Sequence, residues 1–305
     1  MSAVVVKNLV DGEFREGHAG KLIDVLDPAT GGEVVAQVPA MDADDLELVF
    51  AAAERGARVW KAVGLLARGR ILFNAANLIR EESAELIEII VSEMGKTRAE
   101  ATGEVGKAAE FFEYYGGMGR LPFGELLPDA RPGTFAMQTR EPVGVVLLIT
   151  PWNDPLLTPA RKLAPALIAG NSVVIKPATE TPVITLRLAE ILNRAGLPAG
   201  VLGTVTGHGS KIGDILSTDR RIAAISFTGS TTVGIDLQRR LAGSGVRVQT
   251  EMGGKNAAVV LNDADLELTV PTIVAGAYAQ AGQRCTATSR LIVQRGIAEE
   301  LRIRQ

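Results

Sequence analysis

The chain runs to 305 residues, 47% hydrophobic and 22% charged, enough apolar material for a buried core, which excludes disorder and collagen-like repetition. Lys and Arg (32) nearly balance Asp and Glu (35), and the net charge of −3 argues against a broad nucleic-acid surface. With one cysteine and two histidines an intramolecular disulfide is impossible, and His18, His208 and Cys285 lie too far apart in sequence for a Cys–His zinc site; no metal is expected, only a carboxylate-bound magnesium staying open.

At about 100–200 residues per domain this length allows roughly two domains. The amino terminus MSAVVVKNLVDGEF has no basic segment ahead of a long apolar run, and no apolar stretch reaches the roughly 18–20 residues of a membrane helix. The expectation is a soluble, cytoplasmic chain with neither a membrane nor a nucleic-acid partner. From Asp42 to about Gly116 apolar positions such as Leu65, Leu66, Leu72, Ala75, Leu78, Ile79, Leu86 and Ile90 recur three and four apart, which predicts a packed helical layer with Ser83 and Thr97 as caps. Between Arg120 and Glu141 prolines at 122, 128 and 132 and glycines at 124 and 133 break that period around the alternating run Thr134 to Thr139. This predicts a β-hairpin or extended arm that either caps its own core or adds strands to a neighbouring subunit.

Beyond Pro142 the order is regular. Strands are predicted at Val143–Thr150, Ser172–Lys176, Val201–Thr206, Ala223–Phe227 and Val246–Thr250, and helices between them at Leu156–Ala169, Val183–Ala195, Lys211–Leu216 and Thr232–Leu241. Continuous Val, Ile and Leu in the strands mark a parallel sheet covered on both faces. Such sheets bind ligands at the carboxyl ends of their strands, and the unusual residues follow these runs.

Asn153, in TPWNDP after the first strand, can donate to an oxyanion or simply form a turn before proline. Lys176 ends the second strand, where a lysine reaches a ribose or phosphate or else stays solvated. Gly207-His208-Gly209 after the third is a weak signal, usually a turn alone. Phe227 to Gly234 (FTGSTTVG) places small residues at a strand-to-helix turn, as often an ordinary cap as an anion cradle. Glu251 follows the fifth strand as a candidate general base. Cys285 stands beside Arg284, whose charge favours a thiolate, although a lone cysteine is more often inert. Cys285 with Glu251 and no nearby histidine suggests thiol catalysis with a carboxylate activating water.

In combination these residues resemble the aldehyde dehydrogenase superfamily, from near the amino terminus to about Gln294. PWNDP, KPATETP, FTGSTTVG, EMGGKN and GQRC stand in the family's order and with its spacing between Glu251 and Cys285. The resemblance implies an α/β fold, a Rossmann-like parallel sheet with flanking helices. Residues 1–119 and 143–250 would form a dinucleotide-binding domain, 120–142 a hairpin oligomerisation arm, and 251–305 the N-terminal part of a catalytic domain. It implies Cys285 as nucleophile, Glu251 as base, Asn153 with the Cys285 N–H as oxyanion hole, and Lys162 on a proton path. Trp152, Lys176, Thr179, Gly209, Ser230, Val233 and Gly253 would contact NAD or NADP. The implied reaction is aldehyde oxidation through a Cys285 thioester hydrolysed by water; Glu251 argues against the coenzyme-A-acylating branch, which lacks that base.

Departures from the family pattern also carry expectations. Thr179, with Glu180 after it, stands where NAD-preferring members carry glutamate, so both dinucleotides stay open. Asp154 replaces the usual aromatic. Arg161 stands where succinate-semialdehyde-type members place an arginine for the substrate carboxylate, and the run Arg284 to Arg290 resembles 2-oxoglutarate-semialdehyde enzymes; an anionic semialdehyde is the expected substrate. Family members continue far beyond the nucleophile, so the resemblance casts the chain as C-terminally truncated and, with the full-length fold, a homo-oligomer. The alternatives are an inactive dinucleotide-binding remnant and a cofactor-free cysteine hydrolase, which leaves the phosphate-type turns unexplained.

Overall fold

The computed structural model describes residues 4–304. Ahead of the helical layer, where no period is legible, stand β1 (Val4–Val5), β2 (Asn8–Val10), β3 (Glu13–Arg15), β4 (Leu22–Asp27) and β5 (Glu33–Pro39). β2 and β3 pair as a hairpin, while β1, β5 and β4 form a small mixed sheet whose Val25, Ala36 and Val38 pack on Leu186.

The helical layer consists of α1 (Ala43–Ala62), α2 (Leu65–Glu81), α3 (Ser83–Met94) and α4 (Arg98–Gly117). Thr97 caps α4 in a reciprocal capping box with Glu100, as its sequence position predicts. Ser83 does not cap. It is the first helical residue of α3, and Glu82 before it has φ −95° and ψ 12°. With α2 abutting α3 there is no extended residue from which a hydroxyl could reach the orphan N–H groups. α1 approaches the chain at Gly200 through Gly56, where an added Cβ would stand 2.2 Å from the Gly200 carbonyl oxygen. The 120–142 region contains an antiparallel hairpin of β6 (Gly124–Leu127) and β7 (Ala136–Thr139).

The remaining core alternates strand and helix: β8 (Val145–Ile149), α5 (Leu157–Ile168), β9 (Ser172–Lys176), α6 (Val183–Arg194), β10 (Leu202–Thr204), α7 (Gly209–Thr218), β11 (Ile222–Gly229), α8 (Thr231–Leu241) and β12 (Arg247–Met252). The strands form one parallel sheet in the order β10-β9-β8-β11-β12. Chain order reverses between β8 and β11, the switch point at which Rossmann-like sheets open a crevice. Successive residues of the inner strands enter opposite cores: Val146, Leu148, Val173 and Ile175 pack with α2, α4 and α5, and Val145, Leu147 and Val174 with α1, α7 and α8. Two-sided burial is why these strands read as continuous apolar runs.

Two strand expectations need correction. β12 is not buried on both faces: Arg247, Gln249 and Glu251 are exposed, and Val248, Thr250 and Met252 turn towards the α8 side, because an edge strand here has one covered face. It also extends past Thr250, so Glu251 lies within the strand, opposite Thr228 of β11, rather than after it.

Residues beyond β12 form β13 (Asn256–Val260), α9 (Leu266–Tyr278), β14 (Thr288–Val293) and α10 (Ala298–Arg304). β13 and β14 pair in parallel over a small core of Val260, Leu266, Ile273, Ile297 and Leu301. Among the described residues no single helix is long and apolar enough to cross a membrane.

α5 and α6 have no capping side chain of their own; their N-cap residues are Leu156 and Pro182. The helical layer supplies the caps. Glu104 of α4 accepts from the Leu156 and Leu157 N–H groups, both at 2.9 Å, and Glu93 of α3 accepts from Val183 and Ile184 at 2.9 and 3.0 Å. Both carboxyls are buried. Burial raises that of Glu93 to about 8 against the pull of the two N–H donors. Glu104 is also ion-paired with the buried Lys96.

Candidate active site

Several of the sequence-predicted residues lie at or just after the carboxyl ends of the sheet strands, while Arg161 and Lys162 lie on α5. Lys176 ends β9 paired with Ile149; it is 7% exposed, and its Nζ donates to the Pro177 carbonyl at 3.0 Å. Burial lowers its ammonium to about 8, with Glu180 opposing the shift. Thr179 Oγ1 donates to the Gly207 carbonyl at 3.3 Å, fixing the turn after β9 to the turn after β10. Gly209 opens α7. Ser230 caps α8, its hydroxyl accepting from the Val233 N–H, which is the ordinary-cap reading of this turn. Trp152 and Val233 are exposed, 42% and 48%, and Gly253 lies in the exposed turn after β12.

Asn153 and the loop that carries Cys285 come from opposite ends of this region and meet at Gln283. Asn153 Nδ2 donates to the Gln283 carbonyl at 2.8 Å, and Asn256 Nδ2 donates to the Cys285 carbonyl at 2.7 Å. Gly254 lies against the same carbonyl; an added Cβ would stand 2.9 Å from it. The EMGGKN run that begins at Glu251 is thereby folded against the cysteine loop. Cys285 is exposed. Its loop is strained: Gln280 and Ala281 have φ of 54° and Gly282 of 71°, and a left-handed non-glycine residue costs on the order of 1–2 kcal/mol. The Arg284 Nε–H, expected beside the thiol, donates to Gln280 Oε1 at 2.6 Å and so serves the loop itself.

Glu251 is joined to Lys162 by a chain of side chains. Lys162 of α5 donates to Ser226 of β11, Ser226 to Gln249 of β12, and Gln249 Nε2 to Glu251 Oε1 at 3.0 Å. Ser226 pairs with Gln249 and Thr228 with Glu251, so these residues share one face of two neighbouring strands. Burial brings Lys162 down to about 8; the Glu251 charge opposes the shift and Arg161 adds to it. Arg161, the residue expected to meet a substrate carboxylate, is exposed with its guanidinium carbon 5.7 Å from the Phe111 ring centroid.

Ser226, Gln249, Asn256 and Gln280 were not legible as site residues. A polar residue inside a strand or turn gives no sequence signal of its partner, and only the alternation of Gln249 with Glu251 on the polar face of RVQTEM could have indicated one. The potential ligand atoms of His18, Asp42 and Asp45 lie within 4.8 Å of one another. Asp45 there accepts from the His18 N–H and, as its half of the α1 capping box, from the Asp42 N–H, which accounts for the grouping.

Residues 14–304 match the model of the aldehyde dehydrogenase family. The alpha-ketoglutaric semialdehyde dehydrogenase of Bacillus subtilis (strain 168) is 39% identical over 295 residues, 97% of this chain and 60% of its own. The NADP(+) succinate-semialdehyde dehydrogenase of Escherichia coli (strain K12) is 38% identical over 289 residues, 95% of this chain and 60% of its own. The crystal structure of an NAD-dependent aldehyde dehydrogenase from Sinorhizobium meliloti superposes with a TM-score of 0.95 at 37% identity, covering 99% of this chain and 61% of its own. The chain thus spans 60% of the length of these two curated relatives.

Proposed function

Because the chain belongs to the aldehyde dehydrogenase family, we propose that it carries the nucleophile and the dinucleotide site for NAD- or NADP-dependent oxidation of an aldehyde, an anionic semialdehyde in particular, to its carboxylic acid. The observation that carries this reading is the junction of Asn153 with the Cys285 loop at the sheet's carboxyl edge, with the turn that follows Glu251 and Met252 of β12 packed on the same loop. Residues 1–119 and 143–250 are read as the dinucleotide-binding domain, 251–305 as catalytic, and 120–142 as the arm through which copies of the protein associate. The compartment is read as the cytoplasm.

The crevice has groups suited to a dinucleotide. The Lys176 ammonium is buried with one carbonyl acceptor, leaving N–H donors for ribose hydroxyls or phosphate. Thr150 Oγ1, at the carboxyl end of β8, is buried without a partner among the described residues. The α8 amino terminus, flanked by Ser230 and Val233, offers N–H groups and a partial positive charge to a diphosphate. Trp152, Thr179, Gly209 and Gly253 complete the set. A bound nicotinamide supplies the hydride acceptor.

In the chemistry assigned to the chain's own residues, Cys285 Sγ adds to the aldehyde carbon. Asn153 has a second N–H beyond the one given to Gln283, and with the Cys285 backbone N–H it meets the negative charge on the aldehyde oxygen; removing one such donor costs about 2.7–4 kcal/mol. Glu251 then takes a proton from the water that hydrolyses the Cys285 thioester. The Gln249, Ser226 and Lys162 chain orients the Glu251 carboxylate and links it to a basic group. Arg161, with its planar fork, holds the distal carboxylate of the substrate.

Incubating the purified chain with succinate or 2-oxoglutarate semialdehyde and each dinucleotide, while following nicotinamide reduction, tests this reading. Reduction is expected in the wild type and absent in Cys285→Ala. Arg161→Ala is expected to lower kcat/KM for semialdehydes at least about 30-fold, as losing the partner of a desolvated charge does, with less effect on an uncharged aldehyde. Dinucleotide binding without reduction by any aldehyde would overturn the catalytic reading and leave dinucleotide binding as the function.

A further inference from the structure

The cysteine loop is held by a set of contacts that the proposed chemistry does not use. Asp154, next to Asn153 in sequence, accepts through Oδ1 from Lys96 Nζ and from Gln280 Nε2, each at 2.8 Å. Gln280 is 5% exposed. Its backbone N–H donates to Glu100 Oε1 at 2.6 Å, its side-chain oxygen accepts from Arg284 Nε at 2.6 Å, and its carbonyl accepts from the Gln283 N–H at 2.9 Å. The hydrogen bonds of Gln280 thus run to the helical layer at Glu100, to Asp154 in the loop after β8, and to the loop that leads to Cys285. Gln280 is also the first of the three left-handed residues.

Left-handed backbone at a non-glycine residue persists only where its surroundings over-determine it. Here the determinants are two carboxylates from separate elements: Glu100 of the α4 first turn on the backbone, and Asp154 of the loop after β8 on the side chain. Asp154 is itself fixed by Lys96, whose side chain is fully buried and also paired with Glu104. Burial alone would raise the Asp154 carboxyl, but Lys96, Gln280 and Arg284 together hold it below the usual carboxylate range, so it accepts as an anion. Asp154 therefore links two things that must be in register: Asn153, its neighbour, and the loop whose Gln283 carbonyl Asn153 contacts.

We propose that Asp154 and Gln280 are positioning residues, a brace that holds the left-handed turn Gln280–Gly282 and thereby sets the Cys285 thiol against Asn153. The proposal rests on the catalytic reading above for its consequence in turnover, but not for the brace itself. Asp154→Leu removes the acceptor at similar size, whereas Asp154→Asn keeps an oxygen that can accept from Gln280.

Two measurements on the full chain test it: amide hydrogen exchange over residues 279–286, and steady-state aldehyde oxidation, with urea unfolding run alongside. In Asp154→Leu the Gln280 and Gln283 amides should exchange roughly tenfold faster or more, as expected for loss of a charge-assisted hydrogen bond, with unfolding of the rest of the chain still cooperative. Its kcat should fall at least about tenfold with KM for the aldehyde little changed, because orientation rather than binding is lost. Asp154→Asn should stay within about threefold of wild type in both. Wild-type exchange in Asp154→Leu overturns the proposal whether or not the chain turns over. Faster exchange with unchanged kcat overturns the positioning of the thiol. Loosened exchange in Asp154→Leu together with no turnover in the wild type sustains the brace and defeats the catalytic reading, so the two failures are distinguishable.

Discussion

Lys162 shows how a residue's chemistry comes from its surroundings. On α5 it is one cation among many in the sequence, yet burial brings its ammonium from the ordinary 10.5 to about 8. Between those values the unfolded chain binds a proton at this amine that the folded chain does not, so the group makes stability rise with pH across that window. Below the folded value both states are protonated and the dependence vanishes. Lys162→Met should therefore show a smaller gain in urea midpoint between about pH 8 and about pH 10 than wild type does; an equal gain would show that the amine is not buried in solution. Asn153 and Glu251 were legible as candidates because residue type and a position near a strand end coincide in them, and Cys285 because it is the single thiol of the sequence. Asp154, Ser226, Gln249 and Gln280 were not, since their meaning lies largely in partners 23 to 180 positions away.

At the scale of elements, local and borrowed caps behave differently. Thr97 could be read from sequence because the partners of its capping box, Thr97 and Glu100, lie three residues apart. α5 and α6 are capped by Glu104 and Glu93 from another layer, and nothing in their own sequence announces it. Ser83 shows the converse, a residue type suited to capping at a junction with no room for a cap. Glu104→Ala removes one of the two carboxylate partners of the fully buried Lys96 ammonium, Asp154 being the other, together with the α5 cap. It should destabilise the chain by about 1–3 kcal/mol, the usual cost of leaving buried hydrogen-bonding groups unsatisfied, measured as a lower urea midpoint at unchanged m. A loss within about 0.5 kcal/mol, the range of ordinary surface substitutions, would show that the Leu156 and Leu157 N–H groups find other acceptors.

At the scale of the molecule, the hairpin of β6 and β7 carries apolar side chains that its own chain leaves exposed. Leu126 and Met137 are cross-strand partners and are 66% and 63% exposed; Phe135 in the connecting loop is 76% exposed. Association through this arm, as proposed, would cover them. Leu126→Asp with Met137→Asp should then reduce the oligomer measured by sedimentation velocity to a monomer, and an unchanged sedimentation coefficient would exclude the arm as the interface. The sequence by itself determined the alternation of strand and helix after Pro142, the parallel sheet and the set of strand-end residues, because two-sided burial writes continuous apolar runs into the strands. Tertiary structure alone decided the strand order, the open face of β12, the caps of α5 and α6, and the contacts that bring the Cys285 loop to Asn153. Periodicity reports how a segment is buried, but which segments meet is settled by packing between residues that the chain keeps far apart.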